Sequence, residues 1–101
     1  MSTDSRFRSA PVARRCIVSG RVQGVYYRAS AQQRARQVGI VGHARNLPDG
    51  SVEVLVHGEH STVLEFIAWL WVGPSAAKVV DVKVEELELE PALWPQNFKT
   101  S

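Results

Sequence analysis

Hydrophobic positions change their period several times along the chain, and each change marks an element. Cys16, Ile17 and Val18, flanked by Arg15 and Ser19, predict a short first strand ending at Gly20. From Arg21 to Tyr27 the pattern is irregular, with Gly20 and Gly24 four apart, and reads as a loop. Tyr27, Ala31, Ala35 and Val38 then recur at spacings of four, four and three, the stripe of an amphipathic helix. Gly39 is placed to stop it. Ile40 and Val41 open a second strand that runs to Leu47. Pro48-Asp49-Gly50 follows as a turn, because Pro presets φ and Gly accepts a positive one. Ser51 to His57 alternates, with Val52, Val54 and Val56 on one face and Glu53, Leu55 and His57 on the other. Two strands around a Gly-containing turn predict a hairpin.

Thr62-x-x-Glu65 fits a capping box that opens a second helix. Val63, Phe66, Ile67 and Leu70 form its inner stripe, and Gly73-Pro74 ends it. Val79 to Glu85 alternates again, which places Val80, Val82 and Val84 inward. Apolar parity then passes to Leu87 and Leu89, so a bulge or a strand end is expected near Glu86. Phe98 falls in a last short extended piece. The order β-α-β-β-α-β predicts an α+β, ferredoxin-like two-layer sandwich: an antiparallel sheet with two helices on one face, with room for an extra edge strand. That fold hosts many unrelated functions.

The chain has 101 residues, 45% apolar and 22% charged, which predicts one globular domain and excludes collagen-like, disordered and disulfide-scaffold classes. Residues 1–12 carry no period and read as a mobile tail, leaving 13–101 as the domain. A lone Cys16 cannot close an intramolecular bridge, which suits a reducing compartment. The longest apolar run, Phe66 to Val72, is seven residues against the roughly 20 of a membrane span. The N-terminal arginines are followed by no apolar core, unlike a secretory signal. A cytoplasmic protein is expected. The net charge is +2, divided into +8 up to Asn46 and −6 from Leu47 onward. Such blocks mark an anion-binding side, unless the two halves interleave in space.

The sharpest segment for chemistry is Gly20-Arg21-Val22-Gln23-Gly24-Val25-Tyr26-Tyr27-Arg28, which joins a strand to a helix N-terminus. Open N–H groups and the positive end of the helix dipole gather there. Gly24 lets successive amides point into one concavity, an anion nest, and Arg28 adds a planar fork matched to phosphate or carboxylate oxygens. The plain alternative is a connector with an exposed arginine. No Gly-Lys-Ser/Thr follows, so this is not a Walker loop. Asn46, just before the turn, is either a turn former or a carboxamide that holds a water; a neutral amide cannot serve as a general base. His57-x-x-His60 lacks a third ligand at a metal spacing. Cys16 reads as an inert strand cysteine. Trp69, Trp71 and Trp94 read as packing residues, and Glu85, Glu86, Glu88 and Glu90 as a solvated strand face.

These residues carry a resemblance. Gly20 to Arg28 resembles the first signature of the acylphosphatases, and Gly42-His43-Ala44-Arg45-Asn46-x-x-x-Gly50-x-Val52-x5-Gly58 is similar to the second. The likeness runs from about Arg14 to Val84. It implies a small ferredoxin-like enzyme that hydrolyses the carboxyl–phosphate bond of acyl phosphates, with no metal or other cofactor. Carried over, it implies that Arg28 binds the phosphoryl oxygens, that the amides of Gln23, Gly24, Val25, Tyr26 and Tyr27 complete the cradle, and that Asn46 orients the attacking water. The expected partners are a small-molecule acyl phosphate and inorganic phosphate as product, with no nucleic acid or membrane, and the small domain suggests a monomer. His43 departs from the family, which usually carries a large aromatic there; packing beside the site and its pH dependence are the properties it touches. The segment beyond Glu90 matches loosely.

Two other readings use the same fold. One is a non-catalytic module binding RNA or another anion, motivated by the basic first half and a pI near 9.0. An RNA-binding sheet of this topology would carry aromatics on its central strands, and Arg15 to Ser19 and Ser51 to His57 hold none. The other is a domain for transfer of an activated carbonyl group in cofactor assembly, for which the chain is short.

Overall fold

A computed structural model describes residues 10–88 and 93–101. Its elements are β1 (Pro11–Arg21), α1 (Tyr27–Val38), β2 (Val41–Asn46), β3 (Val52–Glu59), α2 (His60–Leu70), β4 (Lys78–Leu87) and β5 (Phe98–Thr100). They form a five-stranded sheet ordered β4-β1-β3-β2-β5. The helices lean on β1, β2, β3 and β5, giving the ferredoxin-like two-layer α+β arrangement expected.

The core lies where alternation in the strands meets the helix stripes. Cys16 and Val18 of β1 pair with Val54 and Val52 of β3, and all four are fully buried. Tyr27, Ala31 and Ala35 of α1 and Val63, Phe66 and Leu70 of α2 close over them. Burying each of the larger apolar side chains is worth roughly 1.5–3 kcal/mol. Gly39 ends α1 in the left-handed conformation, its N–H donating to Ala35.

Several expectations needed correction. The first strand starts at Pro11, because Pro11 and Val12 pair with Glu59 and Gly58; the rest of the expected tail, residues 1–9, lies outside the described residues. The Thr62-x-x-Glu65 capping box does not open α2. The helix begins at His60, whose N–H donates to Ala10 O at 3.1 Å, so a tertiary contact replaces the side-chain cap. Val82 is buried as expected, whereas Val80 is 73% exposed and Val84, though on the core face opposite Cys16, is 47% exposed at the sheet edge. β4 is an edge strand, and its register with β1 slips between Ser19 and Gly20, leaving Val80 without a partner. A Cβ on Gly20 would stand 2.2 Å from Lys78 O, so the close approach at the slip requires glycine. β4 ends at Leu87, as expected near Glu86; Leu89 is outside the described residues.

The sheet is also not wholly antiparallel. β5 is the extra edge strand, and it runs parallel to β2. β4 ends at the opposite edge and at the end of the sheet where β2 begins, so a strand entered from there must follow the direction of β2. Gln32 Nε2 and an Arg36 nitrogen, both on α1, donate to Phe98 O at 3.1 and 3.2 Å and hold β5 in place.

Candidate active site

The loop between β1 and α1 is shaped by two buried anchors. Val22 and Val25 are in the core, so Gln23 and Gly24 between them bow outward. Gly24 has φ 76°, and a Cβ there would meet nothing within 4 Å; the requirement is conformational, not steric. Tyr26 has φ 63°, a left-handed conformation that costs a non-glycine residue roughly 1–2 kcal/mol. Tyr26 is the N-cap of α1 and makes no side-chain cap, so the first-turn N–H groups stay open. Among the described residues, the hydrogen bonds of this corner take none of the N–H groups from Gln23 to Tyr27 as donors. Tyr27 turns inward, and its hydroxyl donates to Leu70 O at 2.6 Å. Burial pushes the phenol pKa up, so it remains a donor.

The Gln23 carboxamide ties the loop to the β2–β3 hairpin. Its Nε2 donates to Leu47 O at 2.9 Å and to Ser51 O at 2.8 Å. Gln23→Ala should cost about 1–3 kcal/mol in urea unfolding, because the two half-buried carbonyls lose their side-chain donor. It should also weaken binding of inorganic phosphate; unchanged stability and affinity would contradict the tether.

Arg28 lines a cavity of about 320 Å³ with Val22, Gly24, Tyr26, Tyr27 and Ala29. Its Nη1 donates to the main-chain oxygen of Ser101, whose N–H donates to Ala44 O. Asn46 does not line the cavity. It ends β2, exposed, paired with Val52 and next to Leu47, the residue that Gln23 holds. The structure thus places Gly24, Tyr26 and Tyr27 beside Arg28 around the cavity, which Gln23 and Val25 do not line, and sets Asn46 next to the hairpin residue that the Gln23 side chain holds. The Val25 side chain is in the core, which leaves only its main chain on the loop surface.

On the opposite face of the sheet, Glu53 is a buried carboxylate with several cationic neighbours. Arg15 Nε and Arg45 Nε each donate to it at 2.6 Å, and His43 Nε2 stands 3.4 Å away. Burial alone would push its carboxyl up, but the bonds from Arg15, Arg45 and His43 outweigh this and hold its pKa below the ordinary 4.5. The depressed pKa means that this contribution to stability is present above about 4.5 and lost as the pH falls through the folded value. Unfolding free energy should therefore fall as the pH drops below about 4.5, and Glu53→Gln should flatten that fall. An equal slope in the variant would contradict it. Sequence reading took Glu53 only as the outward face of a strand; nothing local showed that Arg15 and Arg45 would flank it.

The remaining candidates are structural. His57 is fully buried under Trp94, with ring centroids 4.7 Å apart, while His60 opens α2 on the surface. Among the described residues no three His, Cys, Asp or Glu side chains are grouped to hold a metal ion. Burial raises the Cys16 thiol pKa to about 12, which leaves it an unreactive core residue. Trp69 packs between Tyr27 and Phe66, but Trp71 is 47% exposed and packs less than expected. His43 touches Glu53 rather than the loop. The oppositely charged halves interleave, since Arg15 also reaches Glu85, at 3.5 Å.

The acylphosphatase family profile matches residues 14–100. An acylphosphatase from Nitrosococcus oceani is 51% identical over 75 residues, covering 74% of this chain and 84% of that protein. The structure of an acylphosphatase from Coxiella burnetii superposes with a TM-score of 0.84 at 31% identity, covering 100% of both chains. The acylphosphatase from Bacillus subtilis gives 0.83 at 31% identity, over 89% of this chain and 98% of that one. Fold and sequence together place the chain among small ferredoxin-like hydrolases. It belongs to the acylphosphatase family, and hydrolysis of acyl phosphates is its activity. No described helix is long and apolar enough to cross a membrane.

Proposed function

We propose that Arg28 and the main-chain N–H groups from Gln23 to Tyr27 hold the phosphoryl group, while Asn46 orients the attacking water. The observation that carries this is the left-handed turn at Gly24 and Tyr26, which leaves a run of amides open beside Arg28 and its cavity. Ser101 engages Nη1 of Arg28, and the other guanidinium donors are left for phosphoryl oxygens. Water adds to phosphorus and the P–O bond to the acyl oxygen breaks, giving a carboxylate and inorganic phosphate. The leaving carboxylate is already a stable anion, so no strong general acid is required. The proton of the water passes to an oxygen of the substrate phosphate. Positioning and stabilisation of charge on the equatorial oxygens supply the acceleration, and one guanidinium with a ring of amides can provide both.

The same proposal makes the reaction metal-independent and the substrate a small-molecule acyl phosphate. It has one chain acting alone in the cytoplasm as residues 13–101, with β1 extending the domain to Pro11. Arg28, the loop and Asn46 all come from one copy, and a buried, reduced Cys16 suits that compartment. A single-turnover comparison of benzoyl phosphate with an ordinary phosphomonoester, with chelator present, tests it. Cleavage of benzoyl phosphate alone is expected; loss of activity in chelator, or equal cleavage of both, would contradict it.

A further inference from the structure

Asn46 can aim a water only as well as the end of β2 is fixed, and Asn46–Val52 is the last pair of the β2–β3 ladder. One residue earlier, Arg45 lies directly across from Glu53. Its Nε donates to Glu53 Oε1 at 2.6 Å, and the Glu53 side chain is only 8% exposed. Glu53 belongs to the central strand, paired through its main chain with both Ile17 and Arg45. Its carboxylate is therefore a fixed point, and Arg45 fastens the residue just before the end of β2 to it.

We propose that Arg45 is a positioning residue for the reaction, acting through Glu53 to fix the strand end that presents Asn46. This rests on the reading of Asn46 as the water-orienting group. Beyond Asn46 the chain is held by the Leu47 N–H donated to Ser51 O and by the Gln23 side chain, and a strand terminus of this kind still frays more readily than the interior of a sheet. A shift of about 1 Å in a catalytic group can cost on the order of 10²-fold in rate, and partial fraying costs less. The phosphoryl grip sits on the other side of the sheet, and its Gln23 tether keeps the Ser51 carbonyl as well as that of Leu47, so substrate affinity changes less than turnover.

Arg15 supplies the control. It donates to the other oxygen of the same carboxylate, also at 2.6 Å, but from β1, away from Asn46. Arg45→Met removes one ion pair and Arg15→Met two, with Glu53 and Glu85, and each leaves Glu53 with the other arginine, so a merely structural role would make Arg15→Met at least as harmful as Arg45→Met. Arg45→Met is expected to lower kcat about tenfold with KM within about twofold, and Arg15→Met to leave kcat within about twofold. Arg45→Lys, which restores a cation opposite Glu53, should recover most of the loss. In an Asn46→Ala background Arg45→Met should lower kcat no further. Equal effects of the two methionine variants, or a full additional loss on top of Asn46→Ala, would overturn the proposal. If Asn46→Ala lowers kcat and Arg45→Met does not, this proposal fails and the reading of Asn46 survives; if Asn46→Ala leaves kcat unchanged, both fall.

Discussion

Arg28→Ala should lower kcat/KM for benzoyl phosphate on the order of 10³-fold or more, with phosphate binding and turnover lost together. Among the described residues the guanidinium is the only side-chain cation lining the cavity, so its removal leaves the developing charge on the equatorial oxygens to the amides alone. Arg28→Lys should recover little, because an ammonium cannot reproduce two parallel N–H donors on a planar fork. The fold should persist, since α1 is held by Tyr27, Ala31 and Ala35. Steady-state kinetics with product inhibition by inorganic phosphate reads both effects. A variant that keeps its phosphate affinity while losing kcat would show that Arg28 acts elsewhere than on the phosphoryl group.

Asn46→Ala should behave differently. Loss of one preorganised dipole typically costs about 10²–10³ in kcat. KM should change little if, as proposed, the carboxamide addresses water and the loop grips the anion. Asn46→Asp should be no better: a carboxylate near the cradle repels the substrate and raises KM as well. A large rise in KM for the alanine variant would move Asn46 from the water to the substrate.

Much of this was legible before any coordinates, and for identifiable reasons. α1 and β3 were readable because their stripes face a single core, so period and burial agree at Ala31, Ala35, Val52, Val54 and Val56. The loop was readable because Gly24 and Arg28 flank a helix start, a local relation. What escaped depends on distant partners. β4 alternates as though both neighbours existed, yet it is an edge strand: the register slip leaves Val80 unpaired and exposed, and Val84, though on the core face, is half exposed at the edge. The start of α2 is set by Ala10, fifty residues earlier in the chain, which no capping pattern can show. Within the site, the left-handed Tyr26 was hidden because its residue type argues against that conformation. The Gln23 tether and the Arg15–Glu53–Arg45 cluster appear only when strands remote in sequence are paired.

The most direct test follows the main-chain amide resonances by NMR while inorganic orthophosphate is titrated into the protein. Saturable shifts concentrated at Gln23, Gly24, Val25, Tyr26 and Tyr27, accompanied by the side chain of Arg28, are the predicted result. Shifts centred on another surface, or none in this loop at concentrations that inhibit hydrolysis, would contradict the account.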